Sequence, residues 1–283
     1  MSEENKQMTT GEVISRYGVR AQKKYGQNFL TDRNVLQKIV DVSEITPEDT
    51  VLEIGSGTGA LTGLLCKNAG KVIAVEIDKK LIPVLEDVLR EYDNVRLIEG
   101  DVLKLDLKEL LKMEEKSSIK VVANLPYYIT TPIIMKLLEE RLPFTSITIM
   151  IQKEVADRIK AVPGTKDYGS LSLAVQYFSK PDIVLSVPPS CFIPRPKVGS
   201  AVLKLGIYAE KPIQAENEEL MFKLIRGAFN QRRKTLVNAL CNYEGLELKK
   251  ENVERAIEIL GKKPAVRGEE LSLEDFARLS GLL

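Results

Sequence analysis

Short apolar runs alternate with segments of helical hydrophobic spacing between residues 51 and 160. This alternation predicts an α/β domain with a mainly parallel sheet, because parallel strands need a crossover connection that is usually a helix. The predicted strands are Val51–Ile54, Lys71–Ile77, Val95–Ile98, Ile119–Ala123 and Ser146–Ile151. The predicted helices between and after them are Ala60–Ala69, Lys79–Glu91, Thr131–Glu140 and Lys153–Lys160.

The pattern also predicts the elements that flank this core. Asp32 is placed as the N-cap of a helix that runs to about Val42. A further helix over Gly169–Ser179 precedes two strand patterns, Asp182–Val187 and Ala201–Ile207. A proline-rich segment joins these two strands, so we expect an antiparallel hairpin that closes the sheet.

The character of the chain changes at about residue 209, where helical patterns follow one another without an intervening strand. We therefore predict three parts: a flexible N-terminal arm over residues 1–19 with one helical turn, an α/β domain over 20–208, and a small all-helical domain over 209–283. The helices predicted for the last part are Glu216–Phe229, Arg232–Cys241, Glu251–Leu260 and Leu273–Leu279.

Composition narrows the possible chemistry. The chain has 283 residues, with 41 Lys plus Arg against 40 Asp plus Glu, so any surface for a polyanion must be a local patch. Three scattered cysteines, a polar N-terminus and no apolar run of membrane-spanning length favour a reducing cytoplasmic location and no membrane. The chain has no histidine, which excludes a Ser-His-Asp triad and any His-ligated metal, and we expect no metal site.

A glycine-rich turn follows the first core strand and opens a helix, with the sequence Gly55-Ser-Gly57-Thr-Gly59. This GxGxG pattern, preceded by Glu53, fits an S-adenosylmethionine site better than the GxGxxG site of NAD. Glu76, at the end of the next strand, is placed to bind ribose hydroxyls. Asp78 is a rival for that role, although we favour it as a helix N-cap. Asp101 follows the third strand and is either an adenine ligand or a loop carboxylate.

The fourth strand ends in Asn124-Leu-Pro126-Tyr127. The amino nitrogen of adenine is a poor nucleophile, because its lone pair is delocalised into the ring. The Asn124 side-chain oxygen and the Pro126 carbonyl can accept bonds from its two N–H groups and so localise the lone pair. Tyr127 would stack on the target ring. Phe192, in a proline-rich loop, would stack on the other face, with a buried loop anchor as the alternative.

Taken together, these motifs resemble the ribosomal RNA adenine dimethyltransferase family, and within it the small-subunit (16S) branch. Lys24–Leu30, the glycine turn, Glu76, Asp101, Asn124–Tyr127 and Phe192–Val198 resemble the family's motifs in order, and Phe229–Leu236 resembles its helical-domain signature. The resemblance implies a Rossmann-like class I methyltransferase domain and S-adenosylmethionine as the donor. It implies a cofactor site lined by Asn28, Leu30, Gly55, Gly57, Glu76, Asp101 and Asn124.

The implied reaction forms N6,N6-dimethyladenosine at two adjacent adenosines in the 3′-terminal hairpin loop of 16S ribosomal RNA. The partner would be this RNA or the assembling small subunit, bound by a monomer. Residue 128 is Tyr, where the family more often has Asn. A basic cluster can contact RNA phosphates or simply form a solvated face, and its members in the helical domain are Arg226, Arg232, Arg233 and Lys234.

Three alternative functions compete with this interpretation. A large-subunit RNA adenine methylase would use the same chemistry, but the helical-domain signature argues against it. A DNA adenine methylase usually has a different acceptor motif and a target-recognition domain, which we do not find. A protein that monitors ribosome assembly, with methylation as a secondary role, is compatible with the same motifs.

Overall fold

The computed structural model describes residues 8–114 and 118–283. The chain forms two compact units, of which the first contains residues up to Ala156 together with Pro181–Ile207. The second contains Asp157–Lys180 and Tyr208–Leu283. Residues 157–180, which the sequence analysis assigned to the α/β domain, thus lie in the second unit. The domain boundary that the sequence predicts between residues 208 and 209 stays a prediction.

A mixed sheet forms the centre of the first unit, in the order β4-β3-β2-β5-β6-β9-β7. Neighbouring strands from β4 to β6 are parallel, whereas β9 is antiparallel to β6. The predicted core strands and the two strands that extend the sheet are confirmed. Their bounds are β2 Asp49–Ile54, β3 Lys71–Glu76, β4 Val95–Glu99, β5 Ser118–Asn124, β6 Phe144–Gln152, β7 Ser179–Val187 and β9 Ser200–Ile207.

Burial explains why these runs form a parallel sheet. All six residues of β2 are buried, and so are the last five of β3. Strands covered on both faces need near-continuous apolar runs rather than alternating ones. Val72–Val75 of β3 form such a run, whereas in β2 the buried Glu53 interrupts the apolar residues Val51, Leu52 and Ile54. Strand β2 lies between β3 and β5. The chain adds β3 and β4 on one side of β2 and then crosses over to form β5 and β6 on its other side. The carboxyl end of β2 is therefore a topological switch point, where ligands bind in such sheets.

Helices cover the sheet and connect its strands. Asp32 caps α2 as predicted, since its carboxylate accepts from the backbone N–H groups of Asn34 and Val35. The helix predicted over Lys79–Glu91 begins later, at Ile82, after a turn. The first helix is α1 Thr10–Tyr17, and those that follow are α2 Arg33–Ser43, α3 Ala60–Asn68, α4 Ile82–Val88, α5 Leu107–Leu111, α6 Thr130–Glu139 and α7 Lys153–Lys160.

The N-terminal segment differs from the expected flexible arm. Residues Thr10–Tyr17 form helix α1, which begins with a capping box between Thr9 and Glu12. Val13 is fully buried, and the hydroxyl of Thr10 donates to the carbonyl of Leu30. These contacts hold α1 against the first unit, so the expectation is wrong for this helix. Residues 1–7 lie outside the described part of the chain.

A short antiparallel ribbon joins two distant parts of the first unit. Strand β1, Phe29–Leu30, pairs with β8, Phe192–Ile193. The carbonyl of Cys191 accepts from both the backbone and the hydroxyl of Thr31, at 2.8 and 2.9 Å. This ribbon connects the predicted N-terminal cofactor motif to the predicted stacking loop.

The second unit is built from helices, as predicted for its C-terminal part. Its core includes Leu224, Leu240, Leu279 and Phe276, all fully buried. The helix predicted over Arg232–Cys241 begins only at Leu236, because residues 231–235 form a turn and Thr235 is the N-cap. The helices are α8 Ser170–Phe178, α9 Glu218–Asn230, α10 Leu236–Cys241, α11 Lys250–Ile259 and α12 Leu273–Leu282.

Across residues 8–114 and 118–283, no helix is long and apolar enough to cross a bilayer. Over the same ranges, no group of three or more Cys, Asp or Glu side chains has the arrangement of a metal site.

Candidate active site

One pocket opens at the carboxyl edge of the parallel strands, at the switch point beside β2. It brings together most of the residues predicted from separate motifs. Those that line it are Asn28, Leu30, Gly55, Gly57, Glu76, Asn124, Pro126, Tyr127 and Phe192, with Tyr25, Gln27, Phe29 and Glu53 among their neighbours.

The glycine turn is fixed by a carboxylate from the next strand. Glu76 ends β3 and is buried, and it accepts the backbone N–H of Gly57 at 2.8 Å and that of Asp78 at 2.8 Å. Gly57 has a φ of +57°, a left-handed conformation that most residues avoid, so glycine is needed for this N–H to turn toward Glu76. Burial raises the pKa of the Glu76 carboxyl, and the two N–H donors act in the opposite direction. Each carboxylate oxygen retains acceptor capacity toward the pocket.

Glu53 is a buried acidic residue in the wall of this pocket. Its side chain is 1% exposed, and burial raises its pKa from 4.5 to about 7. The hydroxyls of Ser56 and Thr62 face it, yet among the described residues neither they nor the two carboxylate oxygens reach hydrogen-bonding geometry. A buried carboxyl group without a well-formed hydrogen bond is costly, so its place in the pocket wall makes Glu53 a candidate ligand-binding group.

Residues 22–28 are here called the N-terminal strap. Tyr25–Asn28 of the strap line the pocket, and Asp78 holds the segment. The amide of Gln22 donates to both Asp78 oxygens, at 2.9 and 2.8 Å, and the amide of Gln27 donates to Oδ2 at 3.0 Å. Asp78 also accepts the backbone N–H of Lys80 at 3.2 Å, within the turn that precedes α4. Because α4 begins at Ile82 with Leu81 as its N-cap, the predicted role of Asp78 as a helix N-cap is wrong. Sequence reasoning missed the strap contacts, because Asp78 and Gln22 are 56 residues apart and no local pattern links them.

The acceptor motif has one oxygen that is open to the pocket. The Asn124 amide nitrogen donates to the carbonyl of Asn28 at 3.3 Å, and since a carbonyl can only accept, this contact fixes the orientation of the amide. Oδ1 of Asn124 accepts no bond from the described residues. The Pro126 carbonyl, by contrast, already accepts the N–H of Ile129 at 3.2 Å and the hydroxyl of Thr130 at 3.1 Å.

The two aromatic residues predicted to stack on a base lie in different environments. Tyr127 lines the pocket, and its hydroxyl bonds to that of Ser200 at 2.7 Å, which fixes the ring. Phe192 is only 2% exposed and packs in a core cluster with Leu30 and Val202. It therefore has the packing of a buried loop anchor, the alternative weighed for it, and its predicted stacking on a base stays a prediction.

Asp101 is not among the residues that line the pocket. It follows β4, where its Oδ1 accepts the backbone N–H of Leu103 at 3.0 Å and its Oδ2 lies 3.9 Å from Lys104 Nζ. These are contacts of a loop carboxylate. Its predicted role toward an adenine ring stays a prediction.

The predicted basic cluster lies in the second unit and is heterogeneous. Arg232 donates to the carbonyls of Lys166 and Tyr168, both at 3.0 Å, and to Glu269 at 3.1 Å. Its charge is thus used within the unit. Arg226, Arg233 and Lys234 are exposed.

The parallel sheet with its glycine turn is that of a Rossmann-like class I methyltransferase, and solved structures agree. The chain is similar to a dimethyladenosine transferase from Plasmodium falciparum, with a TM-score of 0.75, 31% identity, and 89% of this chain and 95% of that chain covered. It is also similar to the 23S rRNA methyltransferase ErmE, with a TM-score of 0.68, 26% identity, and coverage of 90% and 99%.

Sequence comparisons define the family. The model of the ribosomal RNA adenine dimethylase family matches residues 18–277. The ribosomal RNA small subunit methyltransferase A of Lachnoclostridium phytofermentans is 56% identical over 276 residues, which cover 97% of this chain and 95% of that protein. That of Geobacillus thermodenitrificans is 52% identical over 278 residues, with coverage of 97% and 94%. This chain belongs to the ribosomal RNA adenine dimethylase family.

We expect Asp78→Asn to loosen the strap, because the Gln22 and Gln27 amides lose a charged acceptor. Bonds to a charged group contribute about 1.5–3 kcal/mol, so local opening should become at least about 10-fold more frequent. Limited trypsin digestion, scored by cleavage after Lys23 and Lys24, measures this opening. Asp106→Asn, which removes the same charge from the N-cap of α5, should leave that rate unchanged. Equal rates for wild type and Asp78→Asn would contradict the assignment.

Proposed function

We propose that this chain uses S-adenosylmethionine to form N6,N6-dimethyladenosine in small-subunit ribosomal RNA. The observation that carries the proposal is the single pocket that gathers the glycine turn, Glu76 and Asn124 in a member of this family. The implied target is a pair of adjacent adenosines in the 3′-terminal hairpin loop. Relatives that are 50–56% identical over most of this chain are named small-subunit methyltransferases, which favours this RNA over large-subunit RNA.

The pocket residues fit the proposed cofactor. Glu53 offers the unpartnered buried carboxylate that a methionine ammonium requires, and Glu76 offers acceptors for ribose hydroxyls. Asn28 and Leu30 line the same pocket from the strap and β1, and Gly55 and Gly57 line it from the glycine turn. Asp101 would complete the set at the adenine end. When bound, S-adenosylmethionine supplies a methyl group on a sulfonium, which is already a good leaving group, so no histidine base or metal is needed to activate the donor.

Asn124 is the residue that would orient the acceptor. Its open Oδ1 accepts one N–H of the target amino group and draws the nitrogen lone pair toward the methyl. Pro126 would accept the other N–H, for which the Thr130 hydroxyl must rotate away from the Pro126 carbonyl. Tyr127 would stack on the target ring from a position fixed by Ser200. The proton leaves after the transfer, so none of these residues acts as a strong base.

Transfer of labelled methyl groups to undermethylated small ribosomal subunits, followed by nucleoside analysis, tests the proposed function. We expect dimethyladenosine confined to the 3′-terminal hairpin. Label found only in large-subunit RNA would mean that this chain methylates large-subunit RNA instead of small-subunit RNA. An absence of label in both RNAs would contradict the proposal.

We expect Asn124→Ala to lower kcat by about 100-fold, the size found for removing one preorganised hydrogen-bonding group at a reacting centre. The cofactor Kd should change much less, because the lost oxygen acts on the acceptor. Single-turnover methyl transfer and cofactor titration measure the two effects. Asn242→Ala, on an exposed asparagine of the second unit, is the matched control. An equal loss of cofactor binding would assign Asn124 to the donor side instead.

Phosphate contacts are expected from Arg233 and Lys234. The double variant Arg233→Gln/Lys234→Gln should weaken RNA binding and reduce the slope of log K against log salt by about 1–2, roughly 0.7–0.9 for each lost contact. Arg232→Gln should instead lower the unfolding temperature and leave the slope unchanged, because Arg232 bonds within the unit. An unchanged slope in the double variant would mean that these two side chains only face solvent.

A further inference from the structure

Tyr128 is an exposed aromatic ring beside the acceptor motif. Of the rings near this motif, Phe192 is buried and Tyr127 forms part of the pocket wall. Tyr128 is 58% exposed and does not line the pocket. It follows Tyr127 in the short 3-10 turn Tyr127–Ile129, and its ring lies beside Gly26, which lines the pocket, so the ring stands at the pocket rim.

One edge of the Tyr128 ring packs against the strap at Gly26. A Cβ atom on Gly26 would lie 3.0 Å from its Cδ1 and 3.2 Å from its Cε1, so the absence of a side chain at residue 26 allows this edge to rest on the strap. Gly26 also has a φ of +58°, which favours glycine there for a second reason. An exposed ring with one edge held by the backbone is preorganised for contact on its open side.

The surroundings of Tyr128 suit RNA. Partial burial raises the pKa of its hydroxyl, and the negative charge of Asp101 adds to this, so the ring is a neutral phenol at neutral pH. On the strap, whose Gly26 contacts the Tyr128 ring, Lys24 Nζ lies 4.3 Å from the centroid of the Tyr25 ring. The rim therefore combines aromatic surface with a positive charge, the combination by which proteins bind single-stranded nucleic acid.

We propose that Tyr128 is a stacking platform for the base next to the adenine that enters the pocket. This inference rests on the proposed function and names a second base-binding subsite for it. An adenine that leaves its stack deprives its neighbour of a stacking partner, and an aromatic ring at the rim replaces that partner.

Tyr128→Leu and Tyr128→Phe test this subsite on unmethylated small-subunit particles. The particles carry one target adenosine, with either adenosine or an abasic ribose on its 5′ or 3′ side. With wild type, loss of the stacked neighbour should lower kcat/KM by about 10-fold, since base–aromatic stacking contributes about 1–3 kcal/mol. Tyr128→Phe keeps the ring and should behave like wild type.

Tyr128→Leu keeps apolar bulk but lacks a stacking face. It should lose about 10-fold with the adenosine neighbour and little with the abasic one, so that it no longer distinguishes the two RNAs. Tyr128→Asn, with the residue more usual in the family, is a second variant without a ring and should do the same. Unchanged cofactor Kd values show that each variant is folded.

Three results would overturn the inference. Equal losses on both RNAs, or none on either, would show that Tyr128 does not contact the neighbouring base. A Tyr128→Phe variant as impaired as Tyr128→Leu would assign the effect to the hydroxyl rather than to stacking. Wild-type protein that transfers no methyl group to any of these particles would contradict the proposed function itself.

Discussion

The site depends on the hydrogen bond by which Glu76 holds the glycine turn. Because β2 and β3 are parallel and paired from Thr50 with Lys71 onward, their carboxyl ends meet at one edge, and Glu76 reaches the N–H of Gly57. A slip of one residue would turn Glu76 to the other face of the sheet. Glu76 is buried, and burial disfavours the charged form of a carboxyl group. The hydrogen bonds from the N–H groups of Gly57 and Asp78 favour that charged form and so offset part of the cost of burial. Sheet register and site geometry are thus set together.

A second level of organisation ties the donor and acceptor sides of the pocket to each other. The strap reaches Asp78 through two glutamine amides and Asn124 through the carbonyl of Asn28. The β1–β8 ribbon then links the strap to the loop that carries Phe192. Displacement of the strap would therefore alter the orientation of the Asn124 amide as well as the pocket wall. The contact between Gly26 and Tyr128 extends the same coupling to the rim.

The sequence predicts what depends on local pattern and strand order. Glu76 and Asn124 could be placed together because parallel strands end at a common edge, and Asp32 because capping is local. The start of the helix at Thr10–Tyr17 is also predictable from local sequence, since Thr9 and Glu12 have the spacing of a capping box. Packing between segments that are distant in the sequence could not be predicted in this way. An aromatic on a proline-rich loop is compatible with either stacking or burial, and only the surrounding core buries Phe192. Arg232 has the same charge as Arg233, and its partners come from segments far along the chain.

Glu53 shows how the fold accommodates a functional group at the expense of stability. Its carboxyl group has a folded pKa near 7 against an ordinary value of 4.5, so ionisation opposes folding as the pH rises between these values. A glutamine or an apolar residue would remove that penalty. Glu53 nevertheless lines the pocket, and its carboxylate oxygens have no hydrogen-bond partner among the described residues. Local violations of packing rules of this kind are expected at functional sites, where a bound ligand supplies the missing partner. In the proposed function, the ammonium of the cofactor has the charge and the donors that Glu53 lacks.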